Sequence, residues 1–263
     1  MSSEPLLRVE KLGKQFLLPN RSAFWAVRDI DLHLQAGEVL GLVGESGSGK
    51  STLGRMLLGL QDKTCGAVYF RGELLPSAYR RADFQHHARH MQMVFQDAYS
   101  TLNPRWSIGA SLAEPLRLLG ERGDLQPRID TALQRVGLAP TLATRYPHEF
   151  SGGQRQRIGI ARALMVEPKI LICDEPVSAL DVSVQAQIIN LLDALRAELG
   201  LALILISHDL AVVRYLCDRV AVMQSGVIVE TAATEQLYDA PQHPFTRQLL
   251  NARQIADPRK RIN

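Results

Sequence analysis

The 263-residue sequence has few cysteines, no long apolar run and no strong charge of either sign. Cys65, Cys173 and Cys217 stand far apart, which argues against a disulfide framework or a structural zinc site and fits a reducing cytoplasm. The longest apolar run, Leu201–Ile206, is too short to cross a bilayer, and no targeting leader is expected. A formal charge of +3, without a basic run that carries interleaved aromatics, gives no indication of nucleic-acid binding. If the protein acts at a membrane, it needs a partner there.

What the sequence does contain is a glycine-rich loop between a strand pattern and a helix pattern. The apolar run Val39–Val43 precedes the loop, and Leu53, Met56, Leu57 and Leu60 follow at helical spacing. Glycines let successive N–H groups converge on phosphate oxygens, and the helix N-terminus adds partial positive charge. We expect the lysine to reach the β- and γ-phosphates and the serine after it to ligate Mg²⁺. The loop consists of Gly44, Glu45, Ser46, Gly47, Ser48, Gly49, Lys50, Ser51 and Thr52.

Two adjacent acids follow a second apolar run. Ile170–Cys173 leads directly into Asp174 and Glu175. The carboxyl ends of strands in an open parallel sheet face the ligand crevice, so Asp174 can hold Mg²⁺ while Glu175 polarises an attacking water. Taken alone, the same pair could be solvated acids at the end of a strand.

A second glycine loop lies before another helical pattern. Ser151, Gly152, Gly153 and Gln154 precede apolar residues at helical spacing, which predicts a helix-terminus anion site. One nucleotide does not need two such loops. The economical interpretation is that the second loop serves a nucleotide held by a different subunit.

The remaining periodicity predicts an α/β fold. Alternating runs, Leu6–Leu12, Ile30–Leu34 and Ala67–Phe70, are typical of half-buried antiparallel strands, whereas the continuous runs predict a buried parallel sheet. Between residues 97 and 150 the strand signal disappears and a helical spacing replaces it, as at Ile129, Leu133 and Val136. A long helix through Val184, Ile188, Leu191, Leu195 and Leu199 should end at Gly200. We therefore expect an α/β core of parallel strands, an antiparallel β subdomain (roughly 5–36 and 65–95) and an inserted helical subdomain (roughly 97–150).

The order of phosphate loop, Ser-Gly-Gly-Gln loop and apolar-Asp-Glu strand resembles the ATP-binding subunit of ABC transporters. This resemblance implies a P-loop NTPase core within a single ABC-type domain over residues 1–263, which binds ATP with Mg²⁺ and hydrolyses it. It implies that Gln96 senses Mg²⁺ and the water and that His208 contacts the γ-phosphate. An aromatic residue lies under adenine in the family, and Phe16 stands at that position. Phe16 could instead be a core residue, and Phe24 and Trp25 compete for the role. The family's dimer-contact loop matches Ser178, Ala179, Leu180 and Asp181.

Four further segments are similar to the dipeptide, oligopeptide and nickel importer branch of that family. They are Asp97–Arg105, Tyr146–Phe150, Pro176–Ser183 and His243–Arg247. The sequence looks most like the second of the two ATPases that such importers carry. This implies a second ABC ATPase as heterodimer partner, two membrane permeases, an indirect link to an extracytoplasmic solute-binding protein, and a peripheral position on the cytoplasmic face of a bacterial inner membrane. Many of these ATPases carry a C-terminal extension that contains cysteines. This sequence has no cysteine after Cys217, so we predict no iron–sulfur cluster.

Several interpretations stay open at this point. His86, His87 and His90 could bind a metal, but a solvated helix explains them as well. Tyr99, Leu102 and Trp106 are candidates for contact with membrane subunits, while Leu102 could equally be core. The chain could also serve a soluble enzyme assembly, such as a phosphonate-degrading complex, or bind nucleotide without turnover. The cargo is not specified by the sequence.

Overall fold

The computed structural model describes residues 4–19, 22–97 and 101–256, which form two compact units. One unit is built from the described residues of Met1–Ala78 and Ile204–Asn263, the other from those of Tyr79–Leu203. The strands are β1 (Leu7–Leu17), β2 (Ala23–Leu34), β3 (Val39–Val43), β4 (Cys65–Phe70), β5 (Glu73–Leu74), β6 (Met91–Val94), β7 (Ile170–Asp174), β8 (Ala202–Ile206), β9 (Arg219–Gln224) and β10 (Val227–Ala233). The helices are α1 (Lys50–Leu57), α2 (Arg81–His87), α3 (Ile108–Leu118), α4 (Gln126–Arg135), α5 (Gly152–Leu164), α6 (Val182–Leu199), α7 (Leu210–Leu216), α8 (Thr234–Asp239) and α9 (Pro244–Ala256), with 3-10 turns at Pro140–Thr144 and Pro147–Glu149. Across these described ranges, every helix is too short or too polar to span a bilayer.

The first unit contains the predicted antiparallel sheet, in the order β2-β1-β4-β5. Leu7 and Val9 of β1 are buried, as the alternation predicts, and Leu12 is buried as well because the register shifts between Val9 and Leu12. In the same unit β9 pairs antiparallel with β10 and parallel with β3. All five residues of β3 are buried, which suits a strand covered on both faces.

Helix α1 follows β3 and the glycine loop, and it is shorter than predicted. Leu53, Met56 and Leu57 are buried on its inner face. Leu60 was expected on that face but is 51% exposed, because the helix ends at Leu57 and Gly59 turns the chain with a φ of +70°. The Leu60 prediction is therefore wrong.

The second unit combines two parallel strands with helices. β6 pairs with β7 in parallel, from Met91 opposite Ile170 to Val94 opposite Cys173. Ile129 and Leu133 in α4 and Val136 directly after it are buried, which confirms the predicted helical spacing.

Helix α6 ends at Gly200, which adopts a φ of +63° as a left-handed cap. Its buried face differs from the predicted one. Ile189 and Leu192 are buried beside Ile188 and Leu195, whereas the predicted face also contained residues that are only half-buried, namely Val184, Leu191 and Leu199.

The antiparallel part assigned to residues 65–95 ends earlier than predicted. Within that range Arg81–His87 is helical and Met91–Val94 pairs in parallel, so antiparallel pairing stops at β5. The division into a single ABC-type domain with a separate helical subdomain at 97–150 stays a prediction.

Candidate functional site

The phosphate loop folds around its own lysine. Lys50 is the first residue of α1 and is 6% exposed. Its Nζ donates hydrogen bonds to the carbonyl oxygens of Gly44 (2.9 Å) and Glu45 (2.7 Å) and to Ser48 Oγ (3.2 Å). The loop therefore holds a positive charge at its centre, next to the N-terminus of α1, where the helix dipole adds to it.

Two loop glycines are required by their close approach to other backbone. A Cβ at Gly44 would lie 2.1 Å from the carbonyl oxygen of Met223 in β9, and one at Gly49 would lie 2.2 Å from that of Ala26 in β2. Gly49 also has a φ of +103°. The loop is consequently fixed between two strands of its own unit. The exposed rim of the loop is formed by Glu45, Ser46 and Gly47, while Ser48 is buried and Ser51 and Thr52 are half-buried in the first turn of α1.

The three aromatic candidates for base stacking lie in the β1–β2 hairpin of the same unit. Phe16 and Phe24 are 36% and 49% exposed, so Phe16 is not a core residue. Trp25 is half-buried, and its Cζ3 lies 3.0 Å from the place where a Cβ of Gly13 would be. Trp25 is therefore a packing residue rather than a competitor for an exposed base.

His208 also lies in the first unit, just after β8. Its side chain is exposed. On one side, the Ser207 amide donates to the carbonyl of Leu42 in β3. On the other, Asp209 caps α7 by accepting from the amide of Ala211 at 2.9 Å. The backbone around His208 is thus held to the strand that leads into the phosphate loop.

In the second unit, Gln96 and Glu175 are brought together although 79 residues separate them. Gln96 Nε2 donates to Glu175 Oε2 (3.3 Å) and to Ser178 Oγ (3.2 Å). An amide nitrogen has two hydrogens, so it can make both bonds at once. The Glu175 carboxylate at the end of β7 and the Gln96 amide after β6 therefore belong to one hydrogen-bonded group.

The backbone at Glu175 is strained. Its φ is +47°, although Pro176 follows and restricts the preceding residue to extended conformations. Non-glycine residues in the left-handed region cost about 1–3 kcal/mol and cluster at functional sites. Asp174 before it is buried at the end of β7. Burial, together with the neighbouring charge of Asp174, raises the pKa of Cys173 to about 12, so its thiol stays protonated in the core.

The second glycine loop is a capped helix start. Ser151 is the N-cap of α5: its Oγ accepts from the amide of Gln154 (3.3 Å), and its own amide donates to Gln154 Oε1 (3.0 Å). A Cβ at Gly153 would lie 2.4 Å from Val184 Cγ1. At Gly152 it would lie 3.3 Å from Leu180 Cδ2. These glycines permit close packing against the predicted dimer-contact loop and the start of α6.

The predicted dimer-contact loop is held by a residue that sequence reasoning missed. Gln185 Nε2 donates to the carbonyls of Val177 and Leu180, both at 3.0 Å. The amide and hydroxyl of Ser178 both donate to the Glu175 carbonyl, at 3.3 and 3.2 Å. Ala179 and Asp181 remain exposed. The sequence places Gln185 in the first turns of α6, but this position does not predict which carbonyl groups its side chain binds.

The structure bears on the predictions for the histidines of α2 and for the candidate residues in contact with membrane subunits. His87 is buried against the ring of Tyr79 (centroids 5.6 Å apart), so α2 is not a wholly solvated helix. Among the described residues there is no cluster of His, Cys, Asp and Glu that could hold a metal ion. Leu102 is 4% exposed and is a core residue, while Trp106 is exposed. Tyr99 lies outside the described residues.

An apolar cleft of about 600 Å³, formed by α2, β6, α3 and α5, was not anticipated. Phe84, Met93, Phe95 and Leu118 line its walls. On one side Arg162 donates to the carbonyl of Thr101 at 2.9 Å and pairs with Glu114. β6 connects this cleft to Gln96, which follows two residues after Val94.

Comparison with known proteins gives consistent results. A family model described as "ABC transporter" matches residues 27–178. An oligopeptide transport ATP-binding protein OppF of Haemophilus influenzae is 46% identical over 100% of this chain and 82% of its own length. The OppF of Salmonella typhimurium is 50% identical over 94% of this chain and 75% of its own length. A putative peptide import ATP-binding protein of Brucella ovis is 49% identical over 98% of this chain and 81% of its own length.

Solved structures resemble the chain over most of its length. The dimeric ATP-binding cassette MJ0796, in a post-hydrolysis state bound to ADP and Pi, superposes with a TM-score of 0.78 at 27% identity and covers 87% of this chain and 98% of its own. The cbiO1 protein of Clostridium perfringens, part of the ABC transporter complex cbiONQ, gives a TM-score of 0.79 at 26% identity over 98% of this chain and 97% of its own. The predicted fold class is confirmed.

Proposed function

This chain belongs to the ABC transporter family as one of its ATPases, and we propose that it powers the import of peptides or a related small solute. The observation that carries this proposal is the identity of 46–50% to peptide-transport ATP-binding proteins over at least 94% of the chain. The matched length includes the phosphate loop, the second glycine loop and the acidic pair. The relatives described above are named for peptides, so peptide is the favoured cargo and nickel is not.

We propose that the loop Gly44–Thr52 binds the triphosphate of ATP. In that state Lys50 would exchange its bonds to the loop carbonyls for bonds to phosphate oxygens. The buried position of its ammonium supports this role, because an anion then meets a charge that is already desolvated. His208 is proposed to contact the γ-phosphate, and Phe16 to stack under adenine.

The residues proposed for Mg²⁺ suit that ion chemically. Ser51, Gln96 and Asp174 offer a hydroxyl, an amide carbonyl and a carboxylate, and Mg²⁺ prefers oxygen ligands of these types. When bound, the ion would neutralise charge on the phosphates. Asp174 is buried at the end of its strand, which supports a role that needs a fixed carboxylate.

Glu175 is proposed to act as the base that activates water. Its contact with Gln96 supports this assignment, because the hydrogen bond from the amide orients the carboxylate at the end of β7. Its strained backbone is a second support, since strain of this kind is retained where geometry serves function. A positioned base contributes about 10²–10⁴-fold to a rate.

The loop Ser151–Gln154 is proposed to act on ATP held by a partner ATPase. The first turn of a capped helix offers N–H donors and a partial positive charge to a γ-phosphate without supplying a cation. Ser178, Ala179, Leu180 and Asp181 are proposed to touch that partner. ATP would favour the closed pair because only that state makes both sets of contacts, and hydrolysis would remove the bias.

The proposed assembly contains a second ABC ATPase, two membrane permeases and, indirectly, an extracytoplasmic solute-binding protein. The proposed position is the cytoplasmic face of a bacterial inner membrane. The apolar cleft lined by Phe84, Met93 and Phe95 replaces Leu102 as our candidate surface for a permease segment. The choice is supported by β6, which runs from this cleft toward Gln96. A permease segment bound in the cleft would therefore change the positions of Gln96 and Glu175, the residues proposed for hydrolysis.

The test is affinity purification of the tagged Glu175→Gln chain from detergent-solubilised membranes with ATP and Mg²⁺. We expect a second ABC ATPase and two permeases to be recovered, because blocked hydrolysis preserves the closed pair. Glu73→Gln, which changes an exposed carboxylate of β5, is the matched control and should release these partners more readily. Recovery of a soluble enzyme complex without permeases would overturn the importer function.

A further inference from the structure

The β1–β2 hairpin carries two exposed aromatic rings directly opposite each other. Phe16 and Phe24 are partners in the antiparallel register, and they are 36% and 49% exposed. Directly opposite residues project on the same face of a sheet, with Cβ atoms about 4.5–5.5 Å apart. The two side chains therefore lie side by side on one face of the hairpin.

Neighbouring residues distinguish this face from the other one. Gln15 pairs with Trp25, which places Trp25 on the opposite face, where it packs over Gly13. Lys14 Nζ lies 5.1 Å from the centroid of the Phe16 ring, a cation–π contact that restrains this ring. The face with Phe16 and Phe24 remains accessible to a planar ligand.

Strand β2 links this face to the phosphate loop. Ala26 stands two residues after Phe24, and its carbonyl oxygen is the atom that excludes a side chain at Gly49. A strand rises about 3.3 Å per residue, so the aromatic face begins roughly 7 Å along β2 from the loop contact. A single nucleotide can therefore place its phosphates in the loop and its base over the rings.

We propose that Phe24 is a specificity residue of the nucleotide site, because its ring and that of Phe16 together form a platform under a purine base. This inference rests on the proposed ATPase function. A bicyclic purine is wide enough to overlap both rings, whereas a pyrimidine covers one. Phe24 therefore contributes to binding of ATP and not of CTP, and Phe16 contributes to both.

Calorimetric titration of the full-length protein with ATP and with CTP, both with Mg²⁺, tests this platform. The variants are Phe16→Ala, Phe24→Ala, Phe24→Leu and Leu17→Ala. Leu17 is the matched control, since it is exposed in the same hairpin but pairs with Ala23 on the opposite face. Thermal melting of each variant checks that the hairpin change leaves the fold intact.

We expect Phe24→Ala to weaken ATP about fivefold, the lower end for loss of one aromatic base contact, with almost no change for CTP. Phe24→Leu should show most of this fivefold loss of ATP affinity, because leucine keeps apolar area but has no aromatic face to stack on the base. Phe16→Ala should weaken both nucleotides, and Leu17→Ala neither. ATP affinity in Phe24→Ala equal to that in Leu17→Ala, or equal losses for ATP and CTP, would overturn the platform. Wild-type protein without saturable ATP binding would overturn the ATPase function itself.

Discussion

The glycine loop before α1 and the one before α5 look alike in sequence, yet their glycines have different tasks. Gly44 and Gly49 have positive φ values and lie against backbone carbonyls of neighbouring strands. Gly152 and Gly153 have no positive φ, and they face the side chains of Leu180 and Val184. The first loop is shaped by its backbone, and the second by what packs against it.

This difference predicts different mechanical behaviour. The phosphate loop closes on its own Lys50 and is braced by strands, so its shape is local. The second loop shares its packing with the residues around Leu180, and the same stretch is hydrogen-bonded to Glu175 through Ser178. A change in the predicted dimer-contact loop should therefore lower the rate of hydrolysis and leave phosphate binding intact.

The largest expected effect comes from Glu175→Gln. The amide is nearly isosteric but cannot accept a proton, so hydrolysis should fall by about 10²–10⁴-fold. The affinity for ATP should stay close to the wild-type value, because the phosphate loop is unchanged. Single-turnover hydrolysis and equilibrium ATP binding measure the two quantities separately. Turnover equal to that of Glu73→Gln would show that Glu175 is not the base.

The next effect contrasts two glycines of the phosphate loop. Gly49→Ala places a Cβ 2.2 Å from the Ala26 carbonyl, so β2 or the loop must move and ATP binding should be lost. Gly47→Ala meets no protein atom within 4 Å, so it should cost about 1–2 kcal/mol of unfolding free energy for a left-handed alanine and weaken ATP binding less than Gly49→Ala does. Denaturant unfolding and ATP titration of both variants measure this. Equal loss of ATP binding in the two would contradict the role of close approach.

A smaller effect is expected at the second loop. Gly153→Ala puts a Cβ 2.4 Å from Val184 Cγ1, which should displace the start of α5. A displacement of this kind costs about ten- to a hundredfold in turnover of the assembled ATPase, while ATP affinity of the isolated chain stays unchanged.

Val184→Ala in the same chain is the control for that prediction. It removes the atom that clashes, so the double variant should recover most of the turnover. Loss that persists in the double variant would mean that Gly153 is needed for direct contact with a ligand rather than for packing.

Sequence patterns predicted β1–β4, β7 and β8, because a strand with one buried face must alternate and a strand with two must be apolar throughout. They did not predict β5, β6, β9 and β10. They were weaker where a local backbone choice decides the outcome. Leu60 leaves the core because Gly59 turns the chain, and helix α2 is only seven residues long, with Asp83 accepting from the Arg80 amide at its start.

The site residues follow from motif spacing, whereas the contacts that organise them do not. A proline after Glu175 predicts an extended backbone there, yet the φ is positive. The pairing of Gln96 with Glu175 joins residues far apart in sequence, and periodicity carries no information on such contacts. Their discovery required the structure.

The smallest expected effect is that of Gln185→Ala. This variant tests most directly whether Gln185 fixes the conformation of the predicted dimer-contact loop. The change removes two hydrogen bonds to the carbonyls of Val177 and Leu180. Each such bond is worth about 0.5–1.5 kcal/mol, so the free energy of unfolding should fall by about 1–3 kcal/mol. Gln187→Ala on the exposed side of α6 is the control, because it loses one exposed contact with Arg157. If the loop positions Glu175, turnover should drop about tenfold in Gln185→Ala with unchanged ATP affinity, since a mispositioned group can cost up to a hundredfold. If both variants turn over ATP equally, the contact loop keeps its shape without Gln185, and the coupling must run through Ser178 alone.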